Sequence, residues 1–149
     1  MRSSMLRTSW MLFSCCTVLA SCAVVNNSGT EEVVTRTVAE DVAWNELPDG
    51  RATAAVHGEM ALNEHISYVR FPRGMRTAVH THSNAYTGII LQGVARHFEP
   101  NSAGEDVWLP AGSFYRVPAD IPHISECSDQ SVCIFAIHQH GSFDRSLVE

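Results

Sequence analysis

Residues 74–93 read GMRTAVHTHSNAYTGIILQG and decide the fold. His80 and His82 lie two positions apart, and Gly74 and Gly93 frame them on either side. Residues two apart on a β-strand point to the same face of a sheet, so the two imidazoles can hold one ion. The stretch therefore predicts a metal site built on β-structure.

A second stretch, residues 112–127, has a similar arrangement of Gly, Pro and His and reads GSFYRVPADIPHISEC. Its Pro118 precedes His123, which we expect on a neighbouring strand, where it would complete a triangle of ligands. A single His on a strand is more often a hydrogen-bonded or surface residue, but two matching frames of Gly and Pro favour a ligand set. The predicted metal ligands are His80, His82 and His123.

The two stretches resemble the two motifs of the cupin superfamily. The first motif runs Gly, five residues, His-x-His, three or four residues, Glu, six residues, Gly; the second runs Gly, five residues, Pro-x-Gly, two residues, His, three residues, Asn. Every spacing matches, but Tyr86 replaces the Glu, Asp120 the Gly and Cys127 the Asn. The resemblance spans about residues 66 to 140. It implies an all-β fold, the small double-stranded β-helix or jelly-roll barrel.

The chain is also similar to an uncharacterised group of single-domain bacterial cupins. Cupins include dioxygenases, sugar isomerases and epimerases, storage proteins and regulatory domains, so the fold alone does not give a function. The narrower similarity rests on Tyr86-Thr87-Gly88, on 110–114 (PAGSF) and on the ending Gly141-Ser142-Phe143-Asp144.

Short apolar segments between turn residues agree with this fold class. We predict a strand that carries His80 and His82, and further strands over 66–71, 86–92, 94–98, 107–109, 114–117, 124–127 and 132–139. Many short strands with regular turns favour a sandwich or barrel over a βαβ sheet. No long amphipathic helix is expected after residue 40.

The N-terminus has the layout of a secretory signal, because two arginines precede a short apolar run. The run ends in LASC at 19–22, which resembles the bacterial lipoprotein box. The chain then divides into a lipoprotein signal peptide (1–21), lipidated Cys22 with a tether (22–40), and a barrel domain (41–149). Ordinary cleavage and an uncleaved anchor are the alternatives, but the run is short for a bilayer span of ~20 residues.

Ala23 after the cysteine resembles the signal for outer-membrane retention in a Gram-negative host. The predicted location is the bacterial cell envelope, with the chain lipid-anchored to the outer membrane and facing the periplasm. The membrane is then a partner through the lipid anchor.

The charge of the chain excludes other functions. Removal of 1–21 takes away two arginines and no acid, so the formal net charge of -6 becomes -8. The chain contains no lysine, which excludes a Lys Schiff-base nucleophile. An acidic domain with scattered arginines is not expected to bind nucleic acid.

Cys127 and Cys133 remain once the signal and the lipidated residue are set aside. Outside the cytoplasm, two thiols that flank the short turn at 128–131 are candidates for a disulfide, and two buried free thiols are the alternative. If the two face each other in a hairpin, Ile137 lies opposite His123. The parity of the strand then decides which side chains face the ion.

On that register the inward face carries Cys133, Phe135, Ile137 and Gln139. His138 and His140 would point outward as surface residues, and a one-residue slip would reverse the assignment. The remaining histidines lack a motif and are expected to be solvated, although His97 has the position to approach the site from an adjacent strand. They are His57, His65 and His97.

Three neutral imidazoles leave the charge of a divalent ion uncompensated, which favours an anionic ligand such as a chelating carboxylate or enolate. The ligand set suits Fe, Mn, Zn, Ni or Cu. Tyr86 is the candidate catalytic residue, and it has three roles open to it: a phenolate ligand, a hydrogen-bond partner of a bound molecule, or packing. The candidate substrate-binding residues are Arg76, Phe114, Phe135 and Gln139.

Three functions are compatible with the sequence. An oxygenase, isomerase or lyase acting on a small oxygenated or anionic molecule requires an open coordination position and a proton-handling group such as Tyr86 or His97. A non-catalytic module that captures a metal or small ligand requires neither, and an interaction scaffold would bind no metal. The resemblance to cupins also implies a homodimer formed through the sheets.

Overall fold

The computed structural model describes residues 33–148. The predicted signal peptide, the lipidation site Cys22 and the first part of the tether lie outside these residues. Residues 36–148 belong to one compact unit. Between residues 33 and 148, no helix has the length and apolar character needed to cross a membrane.

Strands joined by turns and loops are the main elements of the described residues, as predicted. The strands Asn45–Glu46, Ala52–His57 and Ser146–Leu147 were not predicted, and the strand expected over 107–109 is Leu109–Pro110. Two single-turn 3-10 helices, Ala39–Asp41 and Ala103–Asp106, are the only helical elements among them. The strands are β1 (Asn45–Glu46), β2 (Ala52–His57), β3 (His65–Phe71), β4 (His80–Thr81), β5 (Tyr86–Gln92), β6 (Val94–Phe98), β7 (Leu109–Pro110), β8 (Phe114–Val117), β9 (Ile124–Cys127), β10 (Cys133–Gln139) and β11 (Ser146–Leu147).

Three antiparallel sheets form the barrel. The largest has six strands in the order β1-β2-β3-β10-β5-β8, the second has the order β7-β6-β9, and β11 pairs with β4. The buried apolar cluster draws side chains from both larger sheets, so the core lies between them. Its members are Phe71, Tyr86, Ile90, Ala95, Val117, Cys127, Cys133, Phe135 and Ile137.

The last predicted hairpin is wrong in its pairing. β9 pairs with β6 in the smaller sheet, whereas β10 lies between β3 and β5 in the larger one. Both edges of β10 are therefore occupied, which leaves no edge for β9. The structure contains the predicted Cys127–Cys133 disulfide, and the bond joins the two sheets rather than two paired strands.

The predicted inward face of β10 is nevertheless correct. Its side chains alternate between buried and partly exposed along the strand, because successive residues point to opposite faces whichever strand lies alongside. His140, just beyond the strand, is exposed. The buried residues are Cys133, Phe135, Ile137 and Gln139.

Two turns show why the motif spacing survives a change of residue. Asp120 takes the Gly position of the second motif and has φ 61°, a left-handed conformation that Asp tolerates better than most residues. Gly93 has φ 83°, and a Cβ there would lie 2.5 Å from the carbonyl oxygen of Val132. The turn at Asp120 therefore accepts a residue other than Gly, whereas the turn at Gly93 does not.

Candidate metal centre

The two motifs bring the three predicted ligands together. His80 on β4 and His123 form a backbone bridge, with N–O distances of 3.1 and 2.9 Å in the two directions. His80, His82 and His123 are all buried, and one ring nitrogen from each lies within 4.8 Å of the others. The sequence therefore identified a real cluster of ligand atoms.

Backbone carbonyls fix the tautomer of each ring. The Nδ1 atom of His80 lies 2.9 Å from the carbonyl oxygen of Ala78, and that of His123 lies 2.8 Å from the carbonyl oxygen of Ile121. The Nδ1 atom of His82 contacts the carbonyl oxygen of Asp144. Because a carbonyl only accepts, Nδ1 carries the proton, and the lone pair of each neutral ring lies on Nε2.

Burial also keeps the three rings neutral. It lowers the pKa of His80 to about 3, and it lowers the pKa values of His82 and His123 below their ordinary value. The positive charge of Arg145 lowers all three pKa values further. Near neutral pH, each ring is therefore neutral, and its Nε2 nitrogen carries no proton.

The donor set fits a divalent transition metal. Neutral imidazole nitrogens suit Zn, Cu, Fe and Ni, and a carbonyl partner on the second ring nitrogen is the usual way in which proteins orient such ligands. No Asp or Glu belongs to the described triad, so the protein would leave the charge of the ion uncompensated. The structure does not discriminate among the five metals predicted.

Tyr86, which stands at the Glu position of the cupin motif, contacts the triad. Its hydroxyl lies 3.0 Å from Nε2 of His123 and 2.9 Å from Nε2 of His97. Since Nε2 of His123 has no proton, the hydroxyl donates to it and accepts from His97. Burial raises the pKa of Tyr86 well above 10, so the phenol keeps its proton.

His97 continues this chain away from the triad. Its Nδ1 lies 3.0 Å from Oγ of Ser125, and its ring stacks on Tyr115 at 4.1 Å between centroids. Burial lowers the pKa of His97 well below its ordinary value. The prediction of solvated histidines is wrong for two of the three. Both ring nitrogens of His97 are bonded to side chains, and His65 is buried at 1% exposure. His57 is exposed, as predicted.

The prediction that Arg76 binds substrate is not supported by its position. Its guanidinium lies 3.1 Å from a carboxylate oxygen of Glu126 and 3.6 Å from one of Glu105. Arg96 uses the same Glu126 carboxylate at 2.9 Å. The backbone bridge between Arg76 and Glu126 sets this pairing, and neither arginine lines the cavity next to the histidines.

Phe114, which was predicted to bind substrate, does not line the cavity. It is 71% exposed and pairs with Ile89, whereas the next residue, Tyr115, points into the barrel over Gly88. Successive residues of a strand face opposite sides, so only one of the two aromatics can line the interior. Phe135 and Gln139, in contrast, are buried and line the cavity beside the triad.

The cavity of about 130 Å³ inside the barrel opens onto His80 and His82. Its wall is mainly apolar, and its described lining contains no acidic residue. Sequence reasoning missed several of its side chains that lie outside both motifs, among them Arg51, Met60, Phe143 and Arg145.

The C-terminal segment, 141–147, holds one side of this site. The carbonyl of Asp144 fixes the ring of His82, and the ring of Phe143 lies 5.2 Å from the same imidazole. The pairing of Ser146 with Thr81 then sets the position of Arg145 relative to β4, the strand that carries His80. Only the ending Gly141-Ser142-Phe143-Asp144 of the narrower similarity indicated that this segment matters.

A second, exposed cluster lies elsewhere on the surface. Nε2 of His138 and Nδ1 of His140 lie 2.7 and 3.3 Å from one carboxylate oxygen of Glu64. His138 is partly exposed and His140 is exposed, in agreement with the outward orientation predicted for them. The two therefore do not contribute to the buried triad.

The sequence matches the family described as the ChrR cupin-like domain over residues 30–142. The chain belongs to the ChrR cupin-like family. The predicted jelly-roll class is therefore confirmed, and cupins commonly bind a metal at such a histidine group. No curated protein matches the sequence.

Solved structures with the same fold include proteins of different kinds. This cupin is similar to the polyketide cyclase RemF from Streptomyces resistomycificus, with 13% identity, a TM-score of 0.63, and 78% and 87% of the two chains covered. It is similar to the DMSP lyase DddQ from Ruegeria pomeroyi, with 18% identity, a TM-score of 0.59, and 72% and 61% covered.

A third similar structure is the Rhodobacter sphaeroides complex of SigE with the anti-sigma ChrR. The identity is 22%, the TM-score is 0.55, and the match covers 68% of this cupin and 51% of the other chain. At these identities the likeness concerns the fold alone.

Proposed function

We propose that this cupin is a metal-dependent enzyme of the oxygenase, isomerase or lyase type that acts on a small oxygenated anion. The observation that carries the proposal is the convergence of three buried imidazoles, each with its Nδ1 proton held by a backbone carbonyl. His80 and His82 line a cavity with a largely apolar wall, which is the usual construction of a small-molecule site.

His80, His82 and His123 would hold the ion through Nε2. The bound ion would supply Lewis acidity and coordination positions for substrate oxygens. The apolar side chains of Phe71, Phe135 and Ile137 line the cavity. They would exclude water and strengthen every electrostatic interaction inside it.

Tyr86 is the proposed catalytic residue. Its hydroxyl is protonated at neutral pH, lies against a metal-ligand nitrogen, and accepts a hydrogen bond from His97. A phenol in this place can donate a proton or a hydrogen bond to an oxygen bound beside His123. His97 and Ser125 would orient it from behind.

A non-catalytic module that binds a metal or a small ligand is the alternative. The hydroxyl of Tyr86 has a histidine partner on each side, so a binding site without a working acid or base would have this appearance as well. The fold occurs both in a cyclase and a lyase and in a complex that contains an anti-sigma protein, so it supports either function.

Anchoring to the envelope is a separate proposal, which rests on the LASC box at 19–22. We propose that Cys22 carries the lipid and that the tether holds the domain on the periplasmic side of the outer membrane. Mass spectrometry of the membrane-extracted protein should find diacylglyceryl or triacylated Cys22 at the mature N-terminus. An intact signal peptide, or cleavage without lipid, would contradict it. Gel filtration in detergent tests the homodimer that the cupin resemblance implies.

A turnover screen tests the enzymatic proposal. The full chain, loaded in turn with each of the five metals, is mixed with small hydroxy, keto and unsaturated acids, and oxygen uptake and proton NMR follow the reaction. Turnover that Tyr86→Phe reduces at least ~100-fold, in line with acid–base catalysis, is the expected result. Binding of the same acids without turnover under every metal would favour the binding module instead.

A further inference from the structure

Arg145 is a partly exposed cation that lines the cavity inside the barrel. Its Nε atom is buried and makes no hydrogen bond, and no carboxylate among residues 33–148 pairs with its guanidinium. A buried donor without a partner is costly, and proteins retain such a group mainly where something else satisfies it. Burial lowers the pKa of Arg145, but a guanidinium stays charged.

The position of Arg145 places this charge beside the metal centre. It lines the same cavity as His80 and His82, and the β11–β4 pairing fixes the backbone next to it. Its charge acts on all three imidazoles. A small molecule in the cavity is therefore able to contact the guanidinium and the histidine group together.

A second guanidinium reinforces the first. Arg51 lines the same cavity and is held by Asp49, with its Nη2 atom 2.7 Å from the carboxylate and its guanidinium 5.9 Å from the centre of the Phe71 ring. The two arginines repel each other, as the lowering of the pKa of Arg145 by Arg51 indicates. The Asp49 carboxylate offsets part of this repulsion from outside the cavity. An anion between the two arginines would relieve more of it, because no acidic side chain belongs to the described lining.

The rest of the wall limits the class of anion. The cavity of about 130 Å³ is close to one that holds a benzene molecule, so it encloses a small molecule or one end of a larger one. The planar fork of Arg matches a carboxylate with two parallel hydrogen bonds. Apolar side chains next to the fork suit a short carbon skeleton, which inorganic anions lack.

We propose that Arg145, supported by Arg51, binds the carboxylate of a small organic acid and presents the other end of that molecule to the histidine group. The inference rests on the proposed function and deepens it, because it names the substrate class and the residue that selects it. With its carboxylate held by Arg145, the acid would have a second oxygen free for a metal held by His80, His82 and His123.

Calorimetric titration tests this assignment without any need for turnover. Malonate, pyruvate and succinate are titrated into the full chain in detergent, with and without bound metal, and malonamide serves as the neutral match for malonate. At least one acid should bind to the metal-free chain, and malonamide should not. Arg145→Gln should weaken acid binding by about 10- to 100-fold, the range for charge-assisted hydrogen bonds. Arg145→Lys should fall in between, because it keeps the charge and loses the fork.

Arg73→Gln is the matched control, since Arg73 is exposed on a turn outside the cavity and should bind acids as the wild type does. Equal affinity in the wild type and Arg145→Gln, or no binding of any of the three acids to the wild type, would overturn the inference. If the chain binds metal and the Arg145→Gln variant binds acids as tightly as the wild type, this inference is wrong and the proposed metal chemistry stands. Arg145-dependent acid binding by a chain that retains no metal would overturn only the proposed metal chemistry.

Discussion

Tyr86 donates its hydroxyl proton to Nε2 of His123 across 3.0 Å, the nitrogen through which this histidine would bind a metal. The hydroxyl and the ion therefore compete for one lone pair. The other side of the hydroxyl is tied to His97 at 2.9 Å. Tyr86 thus occupies the place of the carboxylate ligand of the cupin motif without supplying its charge.

Replacement of Tyr86 by Phe should strengthen metal binding. The change frees Nε2 of His123 and removes a net hydrogen bond of about 0.5–1.5 kcal/mol, which corresponds to a roughly 2- to 12-fold gain in affinity. Competition with a chromogenic chelator measures it, with Tyr68→Phe as the control on the outer part of the sheet. A loss of affinity of about tenfold or more would mean that Tyr86 is itself a ligand.

The stability of the metal-free chain should fall as the pH falls below about 6.5, the ordinary His pKa. The pKa values of His80, His82, His97 and His123 are lowered in the folded chain, so unfolding takes up protons in this range. For His80 the effect continues down to about pH 3. Each proton taken up lowers the free energy of unfolding by about 1.4 kcal/mol per pH unit.

Urea unfolding with a chelator present, at intervals from pH 7.5 to 5, measures this slope. His57→Ala should leave it unchanged, because His57 is exposed, whereas His97→Phe should reduce it. A free energy of unfolding that stays constant between pH 7.5 and 5 would contradict the neutral, buried state assigned to these rings.

Removal of the Cys127–Cys133 bond should destabilise the barrel. The bond closes a loop with a sequence separation of 6, for which loop entropy predicts about 2 kcal/mol. Urea unfolding of the Cys127→Ala, Cys133→Ala double variant should show this loss. Non-reducing peptide mapping of the native chain should give one bridged peptide, and two freely alkylated thiols would contradict it.

Gly93 and Gly74 are two turn glycines whose replacement by Ala can be compared directly. Both have positive φ, 83° and 71°, but an added Cβ meets the Val132 carbonyl oxygen at 2.5 Å only at Gly93. Gly74→Ala should cost about 1–2 kcal/mol from the left-handed conformation alone. Gly93→Ala should cost more in thermal or urea unfolding, and equal costs would show that the turn relaxes around the methyl group.

The sequence predicted those parts of the site that depend on local spacing. Two frames of Gly and Pro around the His positions indicated three ligands and the barrel class, because turns and strand parity are set by neighbouring residues. The inward face of β10 followed for the same reason. The partner strands of β10 could not be predicted in this way, because strand order depends on which sheet edges are already occupied. Cys127 and Cys133 were expected in one hairpin and instead join two sheets.

The charged part of the cavity was beyond this kind of inference. Arg51 and Arg145 reach the interior from segments far apart in the chain, and neither belongs to a motif. Arg76 lies within the first motif but is drawn to Glu126 on another strand. Ten arginines cannot be ranked as ligands of an anion until their carboxylate partners are known.

Elemental analysis of the full chain and of single His→Ala variants tests the central claim most directly. After loading with divalent metal and desalting, the wild type and the His57→Ala and His138→Ala controls should retain about one ion per chain, as a three-histidine site predicts. His80→Ala and His123→Ala should retain almost none, while circular dichroism shows an intact fold. Equal metal content in all five proteins, or no retained metal in the wild type, would contradict the metal centre.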